Sequence, residues 1–197
     1  GIDPEAPATF IYTSGTTGRS KGAKLCHRNL LSNAIVLAKS WHFTSYDVLL
    51  HMLPVYHTHG LFVATNLLCM VGGSIIFLPK FSIADALAWM PKATSMMGVP
   101  TFYTRLIDSS EFTREVASHI RLFISGSAPL LAETHVQFER RTGKMILERY
   151  GMTETNMSIS NPYEGMRIAG TVGKPLPGVE IRIVDTRTGV PVPEGEI

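Results

Sequence analysis

The chain has 197 residues, 45% of them hydrophobic and 17% charged, with a formal net charge of +2. That composition describes a globular protein with a sizeable core. The small charge, without a Lys/Arg cluster or run, excludes an electrostatic stripe for nucleic acid, and the apolar run over 61–71, broken by Asn66, is too short to span a bilayer. Taken in order, the chain predicts a short buried strand at 8–12, rich in β-branched and aromatic residues. The stretch YTSGTTGRSKG follows at 12–22. Its glycines let backbone N–H groups turn inward, its hydroxyls add donors, and Arg19 and Lys21 add positive charge. Such a loop suits phosphate; a polar surface loop is the alternative. It is not a Walker A loop, because Ser20 precedes Lys21 and Gly22 follows it.

Leu30, Leu31, Ala34, Ile35 and Ala38 recur at helical spacing and predict an amphipathic helix over 29–39, packed on the first strand. A strand is expected at 48–52, then a Pro- and Gly-bounded loop, LPVYHTHG, at 53–60. A buried helix over 61–70, a turn at Gly72 and Gly73, and a strand at 74–78 ended by Pro79 come next. Ser82 caps a helix running to Trp89 and Met90. Strands at 94–99 and 122–125 alternate with helices at 101–107 and 130–141, and a strand at 145–150 enters the polar segment Gly151-Met152-Thr153-Glu154-Thr155. From Gly170 the chain is Gly/Pro-rich, with a strand at 179–184, a turn near Thr188-Gly189 and a second strand starting. This alternation predicts an α/β layered fold with a mostly parallel sheet and a C-terminal antiparallel hairpin. In such sheets sites collect beyond the strand C-termini, and each polar motif here follows a predicted strand. Residues 1–169 are expected to form the α/β part and 170–197 the start of a β-rich part. Both ends look cut within a longer protein.

Glu148-Arg149-Tyr150-Gly151-Met152-Thr153-Glu154-Thr155 is the second informative stretch. An aromatic ring before Gly can stack on a planar base, a Thr hydroxyl can donate to phosphate, and a carboxylate beside phosphate suits Mg²⁺. A strand ending in a polar turn is the plain alternative. Together with the first loop, this stretch resembles the acyl-adenylate-forming superfamily of acyl-CoA synthetases, adenylation domains and luciferases. YTSGTTGRSKG is similar to its phosphate-loop signature and YGMTET to its second, with LPVYHTHG and GSAPL in matching order between them. LPVYHTHGLF, GVPTFYTRL, LFISGSAPL and ERYGMTETNM look most like the malonyl-CoA synthetase branch. The resemblance covers essentially the whole chain.

The resemblance implies ATP-dependent activation of a carboxylic acid through an acyl-adenylate, then transfer to coenzyme A, with malonate or methylmalonate as the acid. It implies that Thr13, Ser14, Gly15, Thr16, Thr17, Gly18 and Lys21 form a mobile lid over the ATP β- and γ-phosphates. Gly126, Ser127, Ala128 and Pro129 would line the adenine and acyl pocket, beside Ser125. Tyr150 would lie against the adenine with Glu148, Arg149, Gly151 and Met152 around the nucleotide and acyl groups, Thr153 would contact the α-phosphate, and Glu154 would hold Mg²⁺. His57 matches a position at the acyl pocket; a satisfied loop histidine, as His59 could also be, is the alternative. Arg105 lies in a segment that faces the acyl pocket in the family. Either it pairs with the distal carboxylate of malonate, or it is a surface arginine with a salt-bridge partner. The family's ribose-binding Asp, hinge and C-terminal lid domain lie beyond Ile197, so the chain alone is expected to be inactive. A fatty- or aryl-acid synthetase and a non-catalytic nucleotide-binding module are the competing readings. Cys26 and Cys69 show no metal or redox spacing, and with no signal peptide evident a reducing, cytoplasmic compartment is expected.

Overall fold

A computed structural model describes residues 1–13, 20–193 and 195. Its centre is a seven-stranded sheet in the order β4-β3-β5-β6-β7-β8-β9. The strands are β3 (Val48–His51), β4 (Ser74–Phe77), β5 (Ser95–Gly98), β6 (Leu122–Ser125), β7 (Ile146–Met152), β8 (Asn156–Ser160) and β9 (Lys174–Pro175). The pairs from β4 to β7 are parallel, and β7-β8-β9 are antiparallel. Ahead of them β1 (Pro7–Thr13) and β2 (Lys21–Cys26) form a separate antiparallel hairpin.

The parallel strands read as unbroken apolar runs because both their faces are covered. Alternate residues enter different cores. Leu49, Met97, Ile124 and Leu147 pack under α1 (His27–Ser40) and α2 (Asn66–Val71). Leu50, Met96, Phe123 and Ile146 pack on the opposite side, under α3 (Ile83–Trp89), α4 (Pro100–Asp108) and α5 (Ala132–Thr142). Tyr103, Phe123 and Phe138 meet edge to face there, with ring centroids 4.9–6.4 Å apart. A π-helical stretch, His59–Thr65, runs directly into α2.

One polar cluster joins the starts of the central strands. Asp47 precedes β3, Thr94 precedes β5 and Arg121 precedes β6. The Asp47 carboxylate accepts from Thr94 Oγ1 at 2.7 Å and from Arg121 Nε and Nη2 at 2.8 and 3.0 Å. Arg121 also donates to the Trp41 and His42 carbonyls and lies over the Phe43 and Tyr163 rings. Burial alone would raise the Asp47 carboxyl, but hydrogen bonds from Arg121, Thr94 and the Thr44 N–H hold it below its ordinary value.

The structure corrects several expectations. The first strand is not buried: Phe10 and Tyr12 are 59% and 74% exposed, because β1 pairs only with β2, a strand the sequence pattern did not announce. The first helix packs chiefly on α2 rather than on β1, and Asn33 ties it to β8 by bonding both Met157 O and N at 2.8 and 3.3 Å. Gly151 and Met152 belong to β7, which turns through Thr153–Thr155 into the unforeseen β8. At the C-terminus the expected strands are replaced by a single bridge between Val184 and Pro191 that closes the turn. Ile183 is 73% exposed there, so no core rewards a longer strand.

Removing the Asp47 carboxylate strands the Arg121 charge among partly buried groups. Asp47→Ala is expected to lower the unfolding free energy of the intact protein by about 3 kcal/mol in urea titrations at neutral pH. The folded carboxyl lies below its ordinary value of 3.8, so its contribution is complete above that value and is lost as pH falls through the folded one. Asp47→Asn should therefore flatten the stability–pH curve on the acid side of the carboxylate range; an unchanged curve would contradict this account.

Candidate active site

The order of the sheet reverses between β3 and β5: the chain grows outward to β4 on one side and through β6 and β7 on the other. A crevice is expected at such a switch point, outside the strand C-termini. A cleft of about 1300 Å³ opens there. Every parallel strand contributes to its wall: Met52 to Gly60 after β3, Phe77 and Pro79 to Phe81 at β4, Val99 and Phe102 after β5, Ser127 after β6, and Arg149 with Gly151 and Met152 on β7.

The mouth is polar. Thr13 and Lys21 pair across the end of the β1–β2 hairpin, and both line the cleft. Ser14, Gly15, Thr16, Thr17 and Gly18, with Arg19, lie outside the described residues. Thr153 and Glu154, from the β7–β8 turn, line the same cleft. The Glu154 side chain is exposed and has no ion pair among the described residues. Among the described residues three cations, Lys21, Lys80 and Arg149, share the cleft with this one carboxylate.

The interior carries an aromatic wall and a buried polar corner. Phe81 and Phe102 stack with centroids 4.1 Å apart and both line the cleft. His57 is exposed at the wall and tilts against Tyr56 at 4.6 Å. His59 is buried, and its Nδ1 lies 3.1 Å from Ser127 Oγ. Burial, then the charge of Arg149, then His51 push His59 well below its ordinary value, so its ring is neutral at physiological pH. His51, eight residues earlier at the end of β3, accepts the Leu53 N–H at Nδ1 and therefore donates from Nε2 to the Gly60 carbonyl, at 2.9 Å. A Cβ at Gly60 would meet the Pro54 carbonyl, and one at Gly126 would overlap the Arg149 guanidinium. The first turn thus requires the absence of a side chain, and at the second a side chain would displace the guanidinium. Ser127 adopts a positive φ of 69°, which turns the chain at the end of β6.

Not all the expected residues meet in the cleft. Strand alternation sends Glu148 and Arg149 to opposite faces. The Glu148 carboxylate is buried 3.6 Å from His135 Nδ1 of α5, away from the cleft. Ser125 is buried, Ala128 and Pro129 are exposed, and none of the three lines the cleft. Tyr150 is 49% exposed and sits outside the wall, its hydroxyl near Met152 Sδ. Arg105 is exposed on α4, outside the cleft, without an ion pair among the described residues; its guanidinium covers Phe81 at 4.8 Å. Tyr103 and Leu106 take the core-facing positions of that helix, which leaves Arg105 on the outer side. Lys80, Phe81 and Phe102 escaped the sequence reading. Applying the strand C-terminus rule to Pro79-Lys80-Phe81 would have found the first two.

Glu154 with the Thr153 hydroxyl offers hard oxygen donors beside the cations of the cleft, a chemistry that fits Mg²⁺. No cluster of three or more His, Cys, Asp or Glu occurs among the described residues, so this donor set does not make an all-protein metal cage. No helix among them is long and apolar enough to cross a membrane, and Cys26 and Cys69 are free.

The mitochondrial malonate–CoA ligase of Mus musculus is 44% identical over 197 residues, covering 90% of this chain and 33% of its own. The malonate–CoA ligase of Arabidopsis thaliana is 44% identical over 200 residues, covering 90% of this chain and 32% of its own. The crystal structure of ATP-bound MatB from Rhodopseudomonas palustris is 57% identical with a TM-score of 0.96, covering 99% of this chain and 39% of that one. The chain thus spans about a third of the length of the curated relatives it matches. The family model for the AMP-binding enzyme matches residues 1–197, and the chain belongs to that family.

Proposed function

We propose that the protein containing this chain is an AMP-forming acid–CoA ligase, with malonate or methylmalonate as its acid. The observation that carries this reading is one cleft with a cationic, hydroxyl-bearing mouth and a largely apolar lining, which suits a nucleotide triphosphate and an acyl group placed end to end. The names of the similar malonate–CoA ligases support the choice of acid.

In the first step a carboxylate oxygen of the acid bonds to the α-phosphorus of ATP. The bond from that phosphorus to the β-phosphate oxygen breaks, leaving an acyl-adenylate and pyrophosphate. In the second, the thiol sulfur of coenzyme A bonds to the acyl carbon, AMP departs and the thiol proton is released. Neither step needs a protein nucleophile. In this reading Lys21 and Thr13, which line the cleft, attract the departing phosphates, and Thr153 donates to the α-phosphate. His57 stands where the acid's reacting carboxylate would be oriented. Glu154 would hold Mg²⁺, which when bound would supply charge neutralisation. The stacked Phe81–Phe102 wall screens the acyl end from water. In this reading Ser14, Gly15, Thr16, Thr17 and Gly18 complete the phosphate lid, and Tyr150 with Gly126 borders the adenine. A reducing compartment, the cytoplasm or a mitochondrial interior, fits the two free thiols.

The aromatic wall favours one second reading, a ligase for an aryl or fatty acid. Initial rates of AMP formation by the intact protein with malonate, methylmalonate, octanoate and 4-coumarate separate the two. The dicarboxylates are expected to give the highest kcat/KM; preference for octanoate or 4-coumarate would reject malonate while leaving the ligase reading intact.

Glu154→Gln keeps the shape of the turn and removes its charge. Thioester formation with Mg·ATP should fall by about 100-fold or more, as when a group stabilising transition-state charge is lost. A variant with near-normal turnover would remove Glu154 from the mechanism, and a wild-type protein that binds nucleotide without turnover would establish a non-catalytic module.

A further inference from the structure

Residues 53–60 carry His57 and His59 of the cleft wall, between the end of β3 and the π-helical stretch. The His51 ring closes this loop from beneath. On the outgoing stem its Nδ1 accepts the Leu53 N–H at 3.2 Å, and on the returning stem its Nε2 donates to the Gly60 carbonyl at 2.9 Å. The ring is 1% exposed and meets Phe77 edge to face. Thr65 Oγ1 donates to the same carbonyl, also at 2.9 Å. Thr65 stands five residues beyond Gly60, the period of a π turn, which returns its hydroxyl to that oxygen. Two side-chain donors from two elements therefore fix the Gly60 carbonyl. The stems also touch, since a Cβ at Gly60 would meet the Pro54 carbonyl.

An apolar side chain at position 51 would fill the same space without burying two polar nitrogens. The imidazole adds direction, because each nitrogen meets one backbone group. Burial holds the ring below its ordinary value, so it is neutral and keeps one donor and one acceptor. We propose that His51 and Thr65 are positioning residues for the acid: by holding the Gly60 carbonyl they set where His59 and His57 stand on the cleft wall. His59 directly precedes that carbonyl's residue, and its Nδ1 lies 3.1 Å from Ser127 Oγ. His57 moves with the same stem, because the Leu61 N–H donates to its carbonyl at 2.9 Å. This rests on the cleft's being the acyl site. The residues assigned to the nucleotide phosphates, Thr13, Lys21, Thr153 and Glu154, come from the β1–β2 hairpin and the β7–β8 turn. Neither shares a hydrogen bond with the His51 or Thr65 side chain among the described residues. A shift of the 53–60 loop thus disturbs the acid and spares the nucleotide.

The test measures kcat for AMP formation, and KM for ATP and for the acid turned over fastest, in the full-length enzyme. Thr65→Val keeps the side-chain shape and removes the donor, and Thr65→Ser restores it. Thr65→Val is expected to lower kcat/KM for the acid by about tenfold, as a small misplacement of an orienting group does, with Thr65→Ser returning most of it. His51→Leu should lose about 100-fold, and His51→Gln, whose amide can still donate to the Gly60 carbonyl, should recover part. KM for ATP should stay within about twofold of wild type throughout. Adding Thr65→Val to His51→Leu should cost less than the product of the single losses, because both residues act on one oxygen. Variants that unfold at lower temperature but keep wild-type kcat/KM for the acid would make both residues merely structural and overturn the assignment. A KM for ATP that rises as much as that for the acid overturns it too. Should His51→Leu fail to fold, Thr65→Val and Thr65→Ser decide by the same two criteria. Unaffected variants in an active enzyme sink this inference and leave the ligase function standing, whereas a wild-type protein that activates no carboxylate sinks both.

Discussion

The Asp47 carboxylate is the interaction on which the rest of the structure depends. It receives hydrogen bonds from the residues immediately ahead of two other strands, Thr94 and Arg121. Backbone bonds continue the same register: Thr94 N–H donates to Val48 O, Arg121 N–H to Thr94 O, and Ser74 N–H to Asp47 O. Parallel strands have no hairpin turn to set their register, so a shared polar node at their starts does that work. With the starts aligned, the ends are aligned too, and the ends carry the site. The charge is tolerable there because Arg121 is itself satisfied by the Trp41 and His42 carbonyls and shielded by two rings.

At the opposite edge, the period of two along each strand divides the labour. On β7 it turns Glu148 into the body of the domain and Arg149 into the cleft. The same alternation separates Leu49 from Leu50 and Met96 from Met97, so both cores and the site come from one rule. Glycine is required at Gly60, under the Pro54 carbonyl, and Gly126 leaves the space that the Arg149 guanidinium fills. The cleft is therefore built from backbone as much as from side chains.

Its chemistry is graded with depth. Exposed Lys21, Lys80 and Glu154 stand at the mouth, where water and counter-ions moderate charge. Inside, His59 is neutral and Arg149 is charged but unpaired among the described residues. The Phe81–Phe102 stack, covered on its outer side by Arg105, separates the enclosed end from solvent.

The amino-acid sequence by itself determined the α/β alternation, the positions of the helices and parallel strands, and the family, because apolar periodicity and two contiguous motifs are local properties. It also pointed to Thr13, Lys21, Thr153 and Glu154 as neighbours, since both polar motifs follow predicted strands and together resemble the family's two signatures. It did not announce β2, β8 or β9, whose short, polar or Gly-containing runs become strands only by pairing with a partner already in place. It could not divide Glu148 from Arg149 or Arg105 from Lys80, because the face a side chain takes is decided by what packs against the element. Which arginine is buried in the cleft was a decision of the tertiary structure alone: Gly126, twenty-three residues away in sequence, leaves the space that Arg149 fills.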